Sequence, residues 1–158
     1  MLATKDASML NELNNIGESA LHEACLNKLP DNVNMLLQMG ANSSLSASYR
    51  YPVHCAMQVD CISCVEVLHE YDNDVLKLAE KIYGNTAMHC LKSKQMFEFL
   101  RSKNCCLDEK NKVGDTPIMT KIKEGSGLTP WLMRPFIPSN HSNYSPFHLN
   151  CHSILIAV

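Results

Sequence analysis

Tyr51-Pro52-Val53-His54-Cys55-Ala56-Met57 is a short apolar run that carries one proline and one histidine. Its shape recurs along the chain. Ser19-Ala20-Leu21-His22 precedes it, and Thr86-Ala87-Met88-His89 and Thr116-Pro117-Ile118-Met119 follow. Each segment has a small, hydroxyl-bearing or proline pair, then an aliphatic residue, then histidine in all but the last. The four segments end at intervals of about 30 to 35 residues, the period of stacked supersecondary units that cannot bury their apolar faces alone.

Outward from each corner, the pattern of a helix pair repeats. In the first unit Asn14-Asn15-Ile16-Gly17 reads as a turn, with asparagine and glycine suited to positive φ. Ser19 caps a short helix whose inner face is Leu21, Ala24 and Cys25, at i, i+3, i+4 spacing. Pro30 suits the first turn of a second helix, where its missing N–H costs nothing. Val33, Leu36 and Leu37 form that helix's stripe, and Gly40 stands just past its end, where a left-handed residue is wanted.

The second unit opens at Ser48-Tyr49-Arg50-Tyr51 and repeats the inner face with Val53, Ala56 and Met57. Asp60-Cys61 is its inter-helix turn, and Cys64, Val65, Val67 and Leu68 form the second stripe. Its exit, Tyr71-Asp72-Asn73-Asp74, has no glycine, so Asp or Asn is expected to take the left-handed conformation. Residues 75–81 make a long connection with room for an extra helical turn.

The third unit opens at Ile82-Tyr83-Gly84-Asn85. Only Ser93-Lys94-Gln95 separate Lys92 from Met96, which begins the second stripe with Phe97, Phe99 and Leu100. About three residues of the usual turn are missing, so a tightened unit is expected. Asn104 takes the glycine's place at its exit.

The fourth unit opens at Lys112-Val113-Gly114-Asp115, but Lys121-Ile122-Lys123-Glu124-Gly125 ends the pattern and no apolar stripe follows. The division is therefore 1–13 as an extension or partial repeat, then 14–47, 48–81, 82–111 and a partial 112–125. Residues 126–158 are expected to be an irregular tail rich in Pro, Ser, Asn and His, because its prolines forbid a long helix.

These corners resemble the Thr-Pro-Leu-His corner of ankyrin repeats, and Gly40-Ala41-Asn42 resembles the family's Gly-Ala-Asp exit. The resemblance implies an all-α solenoid of paired short helices with hairpin loops, about three full repeats and a partial fourth. The corner residues Ser19, His22, Pro52, His54, Thr86, His89, Thr116 and Pro117 then have structural roles. A histidine there can bond its own corner's hydroxyl with one ring nitrogen and the adjacent unit's backbone with the other. Such solenoids bind along a concave surface of hairpin tips and first helices. Tyr49, Arg50, Tyr83 and Lys112 are the leading candidates for partner contact, with Ile82 and Val113 beside them and Glu23, Gln58 and Lys92 on the first helices. Tyrosine and arginine are enriched at binding hot spots.

Composition sets limits on function. Net charge is −2, with 46% hydrophobic and 19% charged residues, which fits a folded domain and offers no basic excess for a nucleic-acid backbone. No apolar run approaches the length of a membrane span. The first residues carry no signal-peptide core, so a cytoplasmic location with eight free cysteines is expected. Cys61-x-x-Cys64 has the spacing of a zinc-ligand pair, but Cys64 lies on a buried stripe and no second pair is nearby, so neither metal nor cofactor is expected.

Finer peculiarities narrow the resemblance. Tyr51 to Gln58, the shortened third unit from Tyr83 through His89 to Met96, Cys105, and Gly114-Asp115-Thr116-Pro117 occur in that order. Together they resemble the ankyrin region of the patatin-like, calcium-independent phospholipases A2. In that family a lipase domain follows, with its nucleophile in Gly-x-Ser-x-Gly. Here Gly17-Glu18-Ser19-Ala20-Leu21 lacks the last glycine and Gly125-Ser126-Gly127 lacks the spacing. The resemblance thus implies a protein–protein interaction module without lipase activity, a truncated form that modulates the full-length phospholipid-hydrolysing enzyme. It names that enzyme and calmodulin as partners. The alternative is a free-standing ankyrin adaptor unrelated to lipid metabolism.

Overall fold

The computed structural model describes residues 7–133. Its helices are α1 (Ala7–Leu10), α2 (Ala20–Leu26), α3 (Pro30–Gln38), α4 (Pro52–Gln58), α5 (Ile62–Tyr71), α6 (Lys94–Ser102), α7 (Pro117–Lys123) and α8 (Thr129–Met133), with 3₁₀ turns at Val75–Lys77 and Ala87–Cys90. Among the described residues there is no strand, only an isolated antiparallel bridge between Ala47 and Arg50.

The helices stand in two layers. In the inner layer α2 packs on α4, α4 on the Ala87–Cys90 turn, and that turn on α7. In the outer layer α3 packs on α5, α5 on α6 and α6 on α8. Between them runs one continuous apolar core, from Leu21, Val33 and Leu37 through Val53, Met57 and Leu68 to Met88, Phe97 and Leu132. Each unit lends its face to the next, as expected of a solenoid whose stability is a nearest-neighbour sum.

Local chemistry sets the element ends. Pro30, Pro52 and Pro117 each open a helix. The residues before the inner helices (Ser19, Tyr51, Thr86 and Thr116) are all extended, which makes the corner. Five exits share one device. Lys28, Gly40, Asp60, Asn104 and Gly125 have positive φ. The next N–H then returns to a carbonyl of the last turn: Leu29 to Ala24, Ala41 to Leu36, Cys61 to Ala56, Cys105 to Leu100 and Ser126 to Lys121, all at 2.9–3.1 Å. This satisfies carbonyls that the helix end would otherwise orphan.

The structure departs from the sequence-based expectations at three places. The Ser19 hydroxyl makes no capping bond to α2, because it is turned to His22 Nδ1 at 2.8 Å. At the exit of the second unit no Asp or Asn is left-handed. Asp72 is extended, with φ −141°, and its carboxylate accepts from the Ser43 hydroxyl at 3.1 Å. That bond to the preceding unit replaces the left-handed turn, and the following connection holds the Val75–Lys77 3₁₀ turn. At the far end, the expected break at residue 126 is a correction. Lys121 is buried, Ser126 closes the exit of α7, and α8 packs on α6 and α7 with Leu132 fully buried. Pro130 falls in the first turn of α8, where proline is tolerated, so the fourth unit has a second helix. The expectation for the rest of the tail lies outside the described residues.

The third unit is compressed. Its inner helix is only the four-residue 3₁₀ turn, after which Leu91 goes extended. Ser93 then caps α6 by accepting from the Met96 N–H at 3.1 Å. The extension at the start is also partly ordered: Leu10 of α1 packs against the core, and the Asn11 side chain accepts from the Asn42 N–H at 2.9 Å.

Candidate functional site

The corner histidines bridge adjacent units. His22 Nε2 donates to the Arg50 carbonyl at 3.4 Å, while its Nδ1 accepts from the Ser19 hydroxyl at 2.8 Å. His89 Nε2 donates to the Asp115 carbonyl at 3.0 Å, and its Nδ1 accepts from the Thr86 hydroxyl at 2.9 Å and the Thr86 N–H at 3.2 Å. A carbonyl only accepts, so each ring carries its proton on Nε2. His54 Nε2 reaches the Asn85 carbonyl at 2.9 Å, but its Nδ1 is buried without a partner, because Tyr51 stands where the other corners have Ser or Thr. Burial lowers the pKa of all three rings. At the fourth corner Thr116 accepts from the Met119 N–H at 3.4 Å.

These bridges hold the hairpin tips in register. The Asn14 side chain organises the first tip by accepting from the Ile16 and Glu18 N–H groups at 3.1 and 3.0 Å. Asn111 does the same for Val113 and Asp115 at 3.1 and 2.9 Å. The third tip is one residue longer, and the longer Glu80 replaces asparagine. Its buried carboxylate accepts from Ile82 and Tyr83 at 2.7 Å each and from Asn85 at 3.3 Å. The second tip is a two-residue turn with Ser48 and Tyr49 both at positive φ, bounded by two bonds between Ala47 and Arg50 at 2.8 and 2.9 Å. That is the primed geometry favoured in hairpins, here without the usual glycine.

Neighbouring tips are also joined. The Lys81 N–H donates to the Tyr49 carbonyl at 2.9 Å and the Lys112 N–H to the Tyr83 carbonyl at 2.7 Å. The Ser48 hydroxyl donates to the Ile16 carbonyl at 2.8 Å. With the backbones tied, the side chains face outward: Ile16 is 68% exposed, Tyr49 63%, Tyr83 58% and Val113 63%, with Ile82 beside them.

The residues singled out from sequence therefore fall into two sets. Tyr49, Tyr83, Ile82 and Val113 project from the tips. Arg50, Lys112, Gln58, Lys92 and Glu23 are engaged within the protein. Arg50 hydrogen-bonds Gln58 and lies 3.6 Å from the buried Glu18 carboxylate. The Lys92 and Lys112 ammonium groups donate to the Gln58 and Lys81 carbonyls. Glu23 accepts from the Asn14 side chain at 3.0 Å. Ile16, Glu80 and Asn111 were not singled out. The asparagine at a fixed offset before the corner, in Asn14 and Asn111, is the signal that marks the tip organisers. Beneath the tips lies a trough of about 890 Å3, whose walls include Arg50, Gln58, Tyr83, Leu91 and Lys121.

Among the described residues the cysteines are chiefly interior. Cys25, Cys55 and Cys64 are fully buried, and burial pushes the Cys55 thiol up to about 11. Cys61 and Cys64 are in contact, Sγ to Sγ 3.0 Å. Among the described residues no group of three His, Cys, Asp or Glu is arranged to hold a metal ion.

The two-layer stack of short helix pairs with hairpin tips and histidine-bridged corners defines an ankyrin-repeat protein, and the family model for the ankyrin repeat matches residues 16–47. The chain is 37% identical over 97 residues to human BCL-6 corepressor-like protein 1, a match that covers 61% of this chain and 5% of that protein. It is 29% identical over 90 residues to the 85/88 kDa calcium-independent phospholipase A2 of mouse, covering 57% of this chain and 11% of that enzyme, and the rat enzyme matches equally. The chain thus spans a small part of the length of these relatives, and it is as similar to a corepressor-like protein as to a lipase.

Proposed function

We propose that this ankyrin stack is a protein-docking module whose contact surface is the row of hairpin tips. The observation behind this reading is the line of exposed Ile16, Tyr49, Ile82, Tyr83 and Val113 side chains on hairpin tips that are tied together, the Tyr49 and Tyr83 carbonyls by backbone bonds to the following tip and the Ile16 carbonyl by the Ser48 hydroxyl. Large side chains on a rigid base lose little entropy on binding. Tyr49 adds an independent argument: an aromatic residue sits at positive φ, where glycine is preferred. Replacing Tyr49 and Tyr83 together tests the reading. Partner affinity is expected to fall at least tenfold with the fold intact, and unchanged affinity overturns it.

We further propose that the partner is a calcium-independent phospholipase A2, which this chain modulates without hydrolysing lipid itself, in the cytoplasm. The support is the similarity to the rodent enzymes over 90 residues and the absence of Gly-x-Ser-x-Gly from the chain. The similarity to the corepressor-like protein favours a second reading, an adaptor with no part in lipid metabolism. Co-purification with the full-length phospholipase, with calmodulin as a separate arm, distinguishes the two; failure to retain the enzyme leaves the adaptor reading.

A further inference from the structure

The Cys61–Cys64 pair is the chain's unused chemistry. Cys61 caps α5 and Cys64 lies one turn further on, so both sulfurs emerge on the same side of the helix. Their separation is 3.0 Å, and a disulfide needs about 2.05 Å, a closure of about 1 Å. The backbone there is held on both sides. The Cys61 N–H donates to the Ala56 carbonyl at 3.0 Å, and the Val65 N–H to the Cys61 carbonyl at 3.2 Å. Asp60, next in the turn, accepts from the Ser93 hydroxyl of the following unit at 2.9 Å. Cys61 is 9% exposed at this turn, whereas Cys64 is enclosed.

We propose that Cys61 and Cys64 form a redox-active dithiol that closes into an intrachain disulfide on meeting a low-molecular-weight disulfide of the glutathione class. Cys61, the more exposed residue of the pair, loses its proton and attacks one sulfur of glutathione disulfide. A mixed disulfide forms and one glutathione leaves as thiolate. Cys64 then loses its proton and attacks the Cys61 sulfur, and the second glutathione leaves. The protein gives up two electrons and two protons; one glutathione disulfide becomes two glutathione thiols. Burial and the adjoining Cys61 push the Cys64 thiol up to about 12. Cys64 therefore stays protonated and unreactive toward solvent, which makes it the resolving partner rather than the first nucleophile.

The test uses the whole folded chain and oxidised glutathione. After an acid quench, free thiols are alkylated in denaturant and mapped on peptides. Cys61 and Cys64 are expected to lose labelling together, on a peptide two hydrogens lighter, while Cys55 keeps its label and dithiothreitol restores the other two. In Cys64→Ser, glutathione is expected to remain attached to Cys61. In Cys61→Ser, Cys64 is expected to stay free. Full labelling of Cys61 and Cys64 in the wild-type chain, at an exposure that consumes the open Cys106, overturns the proposal. So does the same glutathione adduct in both variants.

Discussion

The ring of Tyr51 lies 5.8 Å from that of His54, centroid to centroid, in the place where two other corners set a hydroxyl against the histidine. His54 still bonds forward to Asn85, but it loses the local bond that His22 and His89 have. A buried acceptor without a donor costs about 1–3 kcal/mol. The second corner therefore carries a buried, unpaired ring nitrogen that the first and third do not, although its helix is buried along its whole length up to Gln58.

An isosteric pair isolates this term. Tyr51→Thr restores a hydroxyl beside Nδ1, and Tyr51→Val restores only the shape. The threonine variant is expected to be the more stable by about 1 kcal/mol in urea denaturation. Equal midpoints would mean that the hydroxyl finds no bond to His54.

The histidines also set a pH dependence. Burial holds the folded-state pKa of His22, His54 and His89 below the ordinary value of 6.5. Below about pH 6.5 the unfolded chain takes up protons that the folded chain refuses, so their contribution to stability is complete above that pH and is lost as pH falls through it. Each ring adds at most about 1.4 kcal/mol per pH unit. Urea midpoints are expected to drop between pH 7.5 and 5. A midpoint that holds or rises over that range contradicts the assignment.

Tyr49 couples stability and binding with opposite signs. The left-handed conformation costs a non-glycine residue about 1 kcal/mol, so Tyr49→Gly is expected to raise stability by roughly 0.5–1 kcal/mol. The same change removes an exposed ring from the tip row and weakens docking. Thermal melting and a binding titration on one variant read both effects. A loss of stability, or full retention of affinity, counts against the proposed role.

Leu132 tests the second helix of the fourth unit. It is fully buried in the shared core, and Leu132→Ala is expected to cost about 2–5 kcal/mol. A cost below about 0.5 kcal/mol, the range of surface substitutions, would detach α8 from the stack.

The parts of this fold that are legible in sequence are those set by local chemistry. Proline at the first helical turn, hydroxyl and histidine at the corner, and the left-handed residues Gly40 and Asn104 each act within a few residues of themselves. The three-residue deficit after Lys92 announces a compressed unit, although its form as a 3₁₀ turn follows from packing against α4 and α7. Helix α8 was hidden because Gly125, Gly127 and the prolines interrupt the apolar period, while its burial depends on a surface supplied by α6. The binding candidates divide for the same reason. Tyr49 and Tyr83 stand at tips wherever the corners fall, but only the folded stack places Glu18 and Gln58 beside the half-exposed Arg50.

The central claim is that the tips make the partner contact. Hydrogen–deuterium exchange of this chain, alone and mixed with purified full-length calcium-independent phospholipase A2, tests it most directly. The expected result is slowed exchange at the tip backbones of 14–18, 47–50 and 80–85, with α3 and α6 unchanged. Protection confined to the outer helices α3, α5 and α6 would contradict the claim, and no protection anywhere would remove this enzyme as the partner.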